Sequence, residues 1–295
     1  MTDLTNEDGV AAASGTAEGF EAPTRSGRRG GGRAARQAAR AEATAETRAY
    51  LTRTMAPFEV LSTEGLEIIE HAADTILEEI GIDFRDYPTA LTLMADAGAD
   101  VEGERVRFPR GMCRQIIQAS APSTYTQHGR NPARNVQVGG NATVLAPAYG
   151  SPFVHDLDEG RRYATIGDFQ NFVKLAYLHP GLHHSGGTIV EPVDIPVSKR
   201  HLDMVYSHLK YSDKPFMGSV TAAERAQDSI DLAGFVFGTD FVQQNTVMTS
   251  LININSPMTF DGIMMGALEV YAKANQAAIV SPFIVGGAMA PVTVA

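Results

Sequence analysis

The sequence predicts an α/β chain: a (β/α)8 TIM barrel, truncated after about five strands and preceded by a small helical N-terminal segment. Five short apolar runs rich in β-branched residues start near Thr143, Leu182, Pro215, Thr246 and Ala278, at spacings of roughly 30 to 40 residues, the size of one β-α unit. The runs give out into loops of small and polar residues, where sites are built in such units. No Gly-x-Gly-x-x-Gly follows any run and no Gly-x-x-x-x-Gly-Lys-Ser/Thr is present, so dinucleotide and P-loop readings have no support. A complete barrel needs about 250 residues, whereas roughly 150 remain from Thr143 onward. The expectation is therefore an open half-barrel with an unpaired apolar edge strand, prone to aggregate on its own.

Composition bounds the possibilities. The chain has 295 residues, 44% hydrophobic and 20% charged, as in an ordinary globular protein. No run of about eighteen apolar residues suggests a membrane span, and the acidic start lacks the apolar core of a secretory signal. A cytoplasmic location is the default. The single Cys113 excludes an intramolecular disulfide and any site needing two thiolates.

Residues 1–54 form an arm rich in Arg, Gly and Ala, with Arg25, Arg28, Arg29, Arg33, Arg36, Arg40, Arg48 and Arg53 crowded together. Dense cations could meet RNA, but without interleaved aromatics the arm reads as a disordered tail, helical at most over about 34–51. The net charge of −10 also disfavours nucleic acid.

Residues 55–122 read as the helical segment. Ser62 can cap a helix whose stripe is Leu66, Ile69, Ala73, Ile76, Leu77 and Ile80, with Gly81 ending it. Pro88 opens a second helix with Leu91 and Met94 inward, 101–106 reads as a tight hairpin, and Pro109 opens a third helix to about Ala119.

Residues 123–295 are the expected barrel part. Strands are expected at 135–138, 143–148, 153–156, 182–190, 214–220 and 278–285, and helices at 165–178, 198–209, 221–237 and 262–273. Thr221-Ala-Ala-Glu224 reads as a capping box. The run 246–252 is the best strand, suited to burial on both faces of a parallel sheet.

The strand ends should bring together Tyr149-Gly-Ser151, Thr188-Ile-Val-Glu-Pro192, Gly218-Ser-Val220, Asn253-Ile-Asn-Ser256 and Gly286-Gly-Ala-Met289. Glu191 is the carboxylate best placed to act there; its bland alternative is a solvated loop acid. Asn253 and Asn255 fit ligand contact or an Asx turn equally. Tyr149, Phe153, Phe216, Phe260 and Phe283 could present rings to a cation, although such residues are more often core. His179, His183 and His184 lie close in sequence, but Pro180-Gly181 and strand alternation keep them from converging on a metal. No Gly-x-Ser-x-Gly suggests a catalytic triad.

Several of these stretches carry a resemblance. Leu145-Ala-Pro-Ala-Tyr-Gly-Ser-Pro152 with Val154-His-Asp156, Tyr163-Ala-Thr-Ile-Gly-Asp-Phe169, Ser212-Asp-Lys-Pro-Phe-Met217, Asn253-Ile-Asn-Ser-Pro257 and Gly286-Gly-Ala-Met-Ala-Pro291 are similar to the trimethylamine methyltransferase family, the corrinoid-dependent methyltransferases of methylated amines. The likeness runs from about Met55 to the last residue. It implies a (β/α)8 barrel and a reaction in which the Co(I) of a cobalamin, held by a separate corrinoid protein, takes an N-methyl group. It also implies a cytoplasmic enzyme, homo-oligomeric at full length, binding neither metal nor nucleotide itself. Archaeal trimethylamine enzymes carry pyrrolysine late in the barrel, in a region beyond residue 295.

A quaternary ammonium such as glycine betaine already makes a neutral amine the leaving group. It needs a ring-lined, partly anionic pocket and polar donors for a carboxylate tail. Tyr149, Glu191 and Phe283 could serve the first need, and Asn253, Asn255 and Ser256 the second. Two alternatives stand beside this reading: a barrel lyase or hydrolase pairing Glu191 with His155 or His184, and a non-catalytic binder of quaternary amines.

Overall fold

The computed structural model describes residues 48–255 and 258–282. They form a mixed α/β fold with eight α-helices and several small sheets among the described residues. In chain order the first elements are β1 (Leu51–Thr52), α1 (Thr63–Glu79), β2 (Ile82–Arg85), α2 (Pro88–Asp96), β3 (Asp100–Glu102), β4 (Arg105–Arg107) and α3 (Met112–Ser120). There follow β5 (Thr124–Gln127), β6 (Val136–Gly139), β7 (Ala142–Thr143), β8 (Phe153–Asp156), β9 (Gly160–Tyr163), α4 (Ile166–Leu178) and α5 (Val197–Tyr211). The last are β10 (Phe216–Met217), α6 (Ala223–Phe237), α7 (Thr239–Gln244), β11 (Met248–Ile254), β12 (Thr259–Asp261), α8 (Gly262–Lys273) and β13 (Ala277–Pro282).

The first part is less purely helical than the sequence predicts. Ser62 does cap α1, its Oγ accepting from the Gly65 amide. Behind α1, Gly81 turns the chain at φ +75, where a Cβ would lie 2.3 Å from the Val106 carbonyl oxygen. That tight turn feeds β2 into a four-stranded sheet of order β12-β2-β4-β3. Phe260 of β12 is the register partner of Phe84, and the rings lie 6.0 Å apart. Segments distant in sequence thus share one sheet and one core, in which Phe84, Val106 and Phe108 join Val205, Phe216, Met248 and Tyr271. The stripe on α1 is a correction: Leu66, Ile69, Ile76 and Ile80 are between 43% and 56% exposed, and only Leu77 packs on the core. Of the helix expected over 34–51, residues 34–47 lie outside the described residues, and Leu51 lies in β1, paired antiparallel with β7.

The site-bearing part is organised around β11. Met248, Thr249, Ser250 and Ile252 are buried, and the strand runs parallel to β10 on one side and β13 on the other. Two buried amides complete its hydrogen bonding. Gln276 Oε1 accepts from the Val247 and Met248 amides at 2.8 and 3.1 Å, while its Nε2 reaches the carbonyls of Val242, Asn245 and Ala274. Gln127, 1% exposed, takes the Thr249 hydroxyl on its Oε1 and donates to the Phe216 carbonyl.

The strands expected at 135–138 and 153–156 form β6 and β8, paired antiparallel with β5 and β9, whereas those expected at 143–148 and 182–190 are extended segments rather than regular ladders. Over 182–190 the pleat is broken at Gly186, φ +91, where the His184 ring accepts the Gly186 amide. Its neighbours are still those of a parallel sheet. The His183 amide reaches Leu145, Val190 bridges Ser151 in parallel, Ser185 donates to Pro215 and Met217 to Gly186. Beyond β7 the Leu145 amide goes to the His183 ring, so the strand expected at 143–148 stops after two residues. Segments near 145–151, 183–190, β10, β11 and β13 therefore lie side by side in chain order, and no closed barrel occurs among the described residues.

The helices follow the sequence closely. Thr165 and Asp168 form a reciprocal capping box on α4, and Arg162 beside Asp168 holds that carboxyl well below the usual range. Asp261 caps α8 through the Met264 amide. The capping box expected at Thr221 does not form: Ala222 is the N-cap residue of α6, and the Thr221 hydroxyl instead accepts from Arg225. At the C-terminal end of α4, the buried Lys214 ammonium donates to the carbonyls of Ala176, His179 and Leu182. There it complements the helix dipole, and burial lowers its pKa to about 8.

Replacing Gln276 by Leu strands the Val247 and Met248 amides in the core and should destabilise the fold by about 2–4 kcal/mol, since each buried group left unpaired costs roughly 1–3 kcal/mol. A reduced denaturant midpoint with an unchanged slope would measure it.

A second expectation concerns acid. Burial pushes His184 down to about 3 and His208 to about 4, so both stay neutral in the folded chain while the unfolded chain protonates them near 6.5. Their stabilisation is fully present above that value and is lost as pH falls from about 6.5 toward 4, on the order of 1 kcal/mol per pH unit per histidine. Melting temperatures measured from pH 7 to 5 should fall steadily, and a flat profile would contradict the assignment.

Candidate functional site

The ends of four neighbouring segments meet at one cleft of about 260 Å3. Tyr149 and Gly150 come from the first, Thr188 and Glu191 from the second, Ser219, Val220 and Thr221 from the third, and Asn253 from β11. The helices that follow supply the rest: Val197, Arg200, His201 and Met204 from α5, Arg225 from α6 and Met264 from α8.

The cleft thus gathers three of the sequence-predicted site residues. Tyr149 is 42% exposed, and the chain passes close by it: a Cβ on Gly187 would lie 2.8 Å from Tyr149 Cε2 and 2.9 Å from Met217 Cβ. Glu191 is held in a close ion pair with Arg200, whose guanidinium also donates to the Ile195 carbonyl. Asn253 lies at the C-terminal end of β11, half-buried. Asn255 is elsewhere. It is exposed, bridges Thr259 and donates to the Asp261 carboxylate, which makes it a turn residue supporting α8. Ser256 and Phe283 lie outside the described residues, as does 286–289.

Of the other aromatic candidates, Phe216 and Phe260 are core, 2% and 7% exposed. Phe153 meets a cation of the chain itself, with the Arg161 guanidinium carbon 3.9 Å from the ring centroid. His155 is exposed on β8 and His184 is buried away from the cleft, so neither pairs with Glu191. The Nδ1 atoms of His179, His183 and His184 each accept a backbone amide. Among the described residues no three His, Cys, Asp or Glu side chains converge as metal ligands, and no helix is long and apolar enough to cross a membrane.

Three ionisable residues of the cleft, Arg200, His201 and Arg225, were missed in the sequence. Arg200 and His201 belong to a face, Val197-Arg200-His201-Met204, with the three- and four-residue spacing of one helix side; that signal was readable. His201 is 6% exposed, its Nε2 is 2.7 Å from the Asp228 carboxylate, and its Nδ1 has no hydrogen-bond partner. Arg225 had no such signal, since a single charge in a first turn reads as a solvated residue.

A sequence model described as Trimethylamine methyltransferase (MTTB) matches residues 29–295. The chain belongs to the trimethylamine methyltransferase family. A glycine betaine methyltransferase of Desulfitobacterium hafniense (strain Y51) is 43% identical over 239 residues, covering 81% of this chain and 50% of that protein. The chain spans about half the length of this curated relative.

Gly187→Ala should push the Tyr149 ring and Met217 out of place. The expected outcome is loss of about tenfold or more in affinity for a quaternary ammonium ligand, since a contact made by a ring on a cation is worth roughly 1–2 kcal/mol. Titration calorimetry on the variant, with circular dichroism confirming its fold, checks this.

Proposed function

We propose that the protein moves a methyl group from a methylated amine, trimethylamine or a quaternary amine such as glycine betaine, to the Co(I) of a corrinoid carried by a separate protein. The observation that carries this reading is the cleft itself, in which an aromatic ring, Tyr149, and a tethered carboxylate, Glu191, stand together at the ends of adjacent segments. A ring and an anion are what a methylated ammonium group requires, because its charge is diffuse and its methyl groups donate no ordinary hydrogen bonds. Arg200 keeps the Glu191 carboxylate in one place, which is the positioning that brings a reacting methyl into line.

The corrinoid supplies the nucleophile: a carbon–cobalt bond forms as the carbon–nitrogen bond breaks, and the electron pair of the broken bond leaves with the amine. A cleft of about 260 Å3 has room for a small amine, in keeping with a reading in which the corrinoid is carried by a separate protein. The chain's residues bind, orient and shield the amine. The chain-order arrangement of five parallel segments with helices between them supports a (β/α)8 barrel for the whole enzyme, and the reaction is placed in the cytoplasm.

The test uses the full-length gene product with a reduced corrinoid protein. Adding glycine betaine or trimethylamine should convert the Co(I) spectrum to that of the methylated corrinoid, and Glu191→Gln should lower kcat/KM by about 10- to 100-fold, as expected for loss of a charge-assisted contact. No conversion with any methylated amine, using a corrinoid protein methylatable by another route, would overturn the proposal.

A further inference from the structure

We infer that His208 is a positioning residue: through the Gly187 carbonyl it fixes the peptide against which the Tyr149 ring packs, and so sets where that ring meets a methylated cation. This rests on the methylated-amine reading above and adds to it a residue that does not itself line the cleft. His208 lies on α5, 2% exposed, with the Phe169 ring edge-on at 5.3 Å and the Phe216 ring stacked at 6.2 Å. A carbonyl can only accept, so Nε2, 2.9 Å from the Gly187 oxygen, carries the proton. Burial pushes the pKa of the ring down to about 4. The neutral ring therefore keeps Nδ1 as an acceptor, and the Ser185 hydroxyl donates to it at 2.7 Å. Both nitrogens are used, and two aromatic rings fix the plane of the imidazole.

Three consecutive carbonyls tie down the stretch beneath Tyr149. The Gly186 carbonyl accepts the Met217 amide of β10 at 2.9 Å, and the Thr188 carbonyl accepts the Gly150 amide at 2.7 Å. Between them, the Gly187 carbonyl has only one backbone partner among the described residues, the Ile189 amide two residues on. That is a γ-turn contact within the segment, not a bond to a neighbour. His208 supplies the tie that neither neighbouring segment provides. There is no slack at this point, since a Cβ on Gly187 would lie 2.8 Å from Tyr149 Cε2. A glycine peptide turns readily unless its carbonyl is held, and any turn here shifts the surface on which the ring rests. A cation is attracted to a ring only within about 6 Å of its centroid, so a displaced Tyr149 loses affinity while the fold persists.

The test measures tetramethylammonium binding by calorimetry to the full-length protein and its variants, with melting temperatures as the control for folding. His208→Phe keeps the volume of the ring and loses both bonds, and His208→Asn can take the Ser185 hydroxyl without reaching Gly187. His208→Gln places an N–H where Nε2 stands. The first two should bind about tenfold more weakly, the size of one lost contact between a ring and a cation, and His208→Gln should recover most of the loss. Tyr149→Ala should cost about the same, and adding His208→Asn to it should cost nothing more, because both act through one contact. Losses that multiply, or parent-like binding by both His208→Phe and His208→Asn, would overturn the inference. Should the His208 variants not fold, Ser185→Ala carries the test: a smaller loss, again absent beside Tyr149→Ala, supports the inference, and no loss overturns it. If neither tetramethylammonium nor glycine betaine binds the parent protein, the methylated-amine reading fails. Nitration mapped by peptide mass then decides the positioning alone, with Tyr163, 59% exposed, as reference. Faster nitration of Tyr149 in His208→Asn supports it, and equal rates overturn it.

Discussion

The structure depends on the hydrogen bonding of one buried strand. β11 lies between β10 and β13 with Met248, Thr249, Ser250 and Ile252 enclosed, and an enclosed strand cannot leave an amide or carbonyl unmatched. Where the ladders run out, two glutamines take over. Gln276 ties the start of β11 to the end of α7, and Gln127 ties β5 to β10 and β11. Because a primary amide both donates and accepts, one side chain can finish a strand's bonding and fix its neighbour's position at once. The C-terminal end of β11, and with it Asn253, is set by that anchoring at the other end.

The same logic explains why the site residues converge although their segments are irregular. Near 183–190 the ladder is interrupted by Gly186, yet histidine rings and single backbone bonds keep the segment in place between its neighbours. His208 is the most enclosed of these groups. Its Nδ1 takes the Ser185 hydroxyl at 2.7 Å, its Nε2 donates to the Gly187 carbonyl, and Phe169 and Phe216 flank the ring. The backbone at Gly187, on which Tyr149 packs, is therefore held by a neutral buried imidazole. Burial that depresses the histidine pKa is in this sense part of how the cleft keeps its shape.

Among the described residues, the ionisable side chains lining the cleft are paired with one exception. Glu191 is matched by Arg200 and His201 by Asp228, and each pairing orders a side chain on the first turns of α5. Such contacts at a part-exposed position add little to stability; their consequence is geometric. Arg225 alone meets only a hydroxyl.

Much of this was readable in the chain. Helix α8 over residues 262–273, the capping box of Thr165 with Asp168, the cap at Ser62 and the buried strand before Asn253 all follow from local chemistry: periodicity, capping hydroxyls and carboxylates, and β-branched runs. Four of the five loops expected to meet line one cleft, Tyr149, Glu191 and Asn253 among them, and 286–289 lies outside the described residues. Local rules failed where a long-range partner won. The Leu145 amide went to the His183 ring instead of extending a ladder, and β12, which the sequence did not predict, paired with β2. The sequence by itself determined the main helices, the buried strand and the family, because these depend on residues near one another in the chain. Only the tertiary structure decided that Arg225 and His201 face the same space as Glu191, since a charge shows whether it is paired only when every distant segment that could neutralise it has been placed.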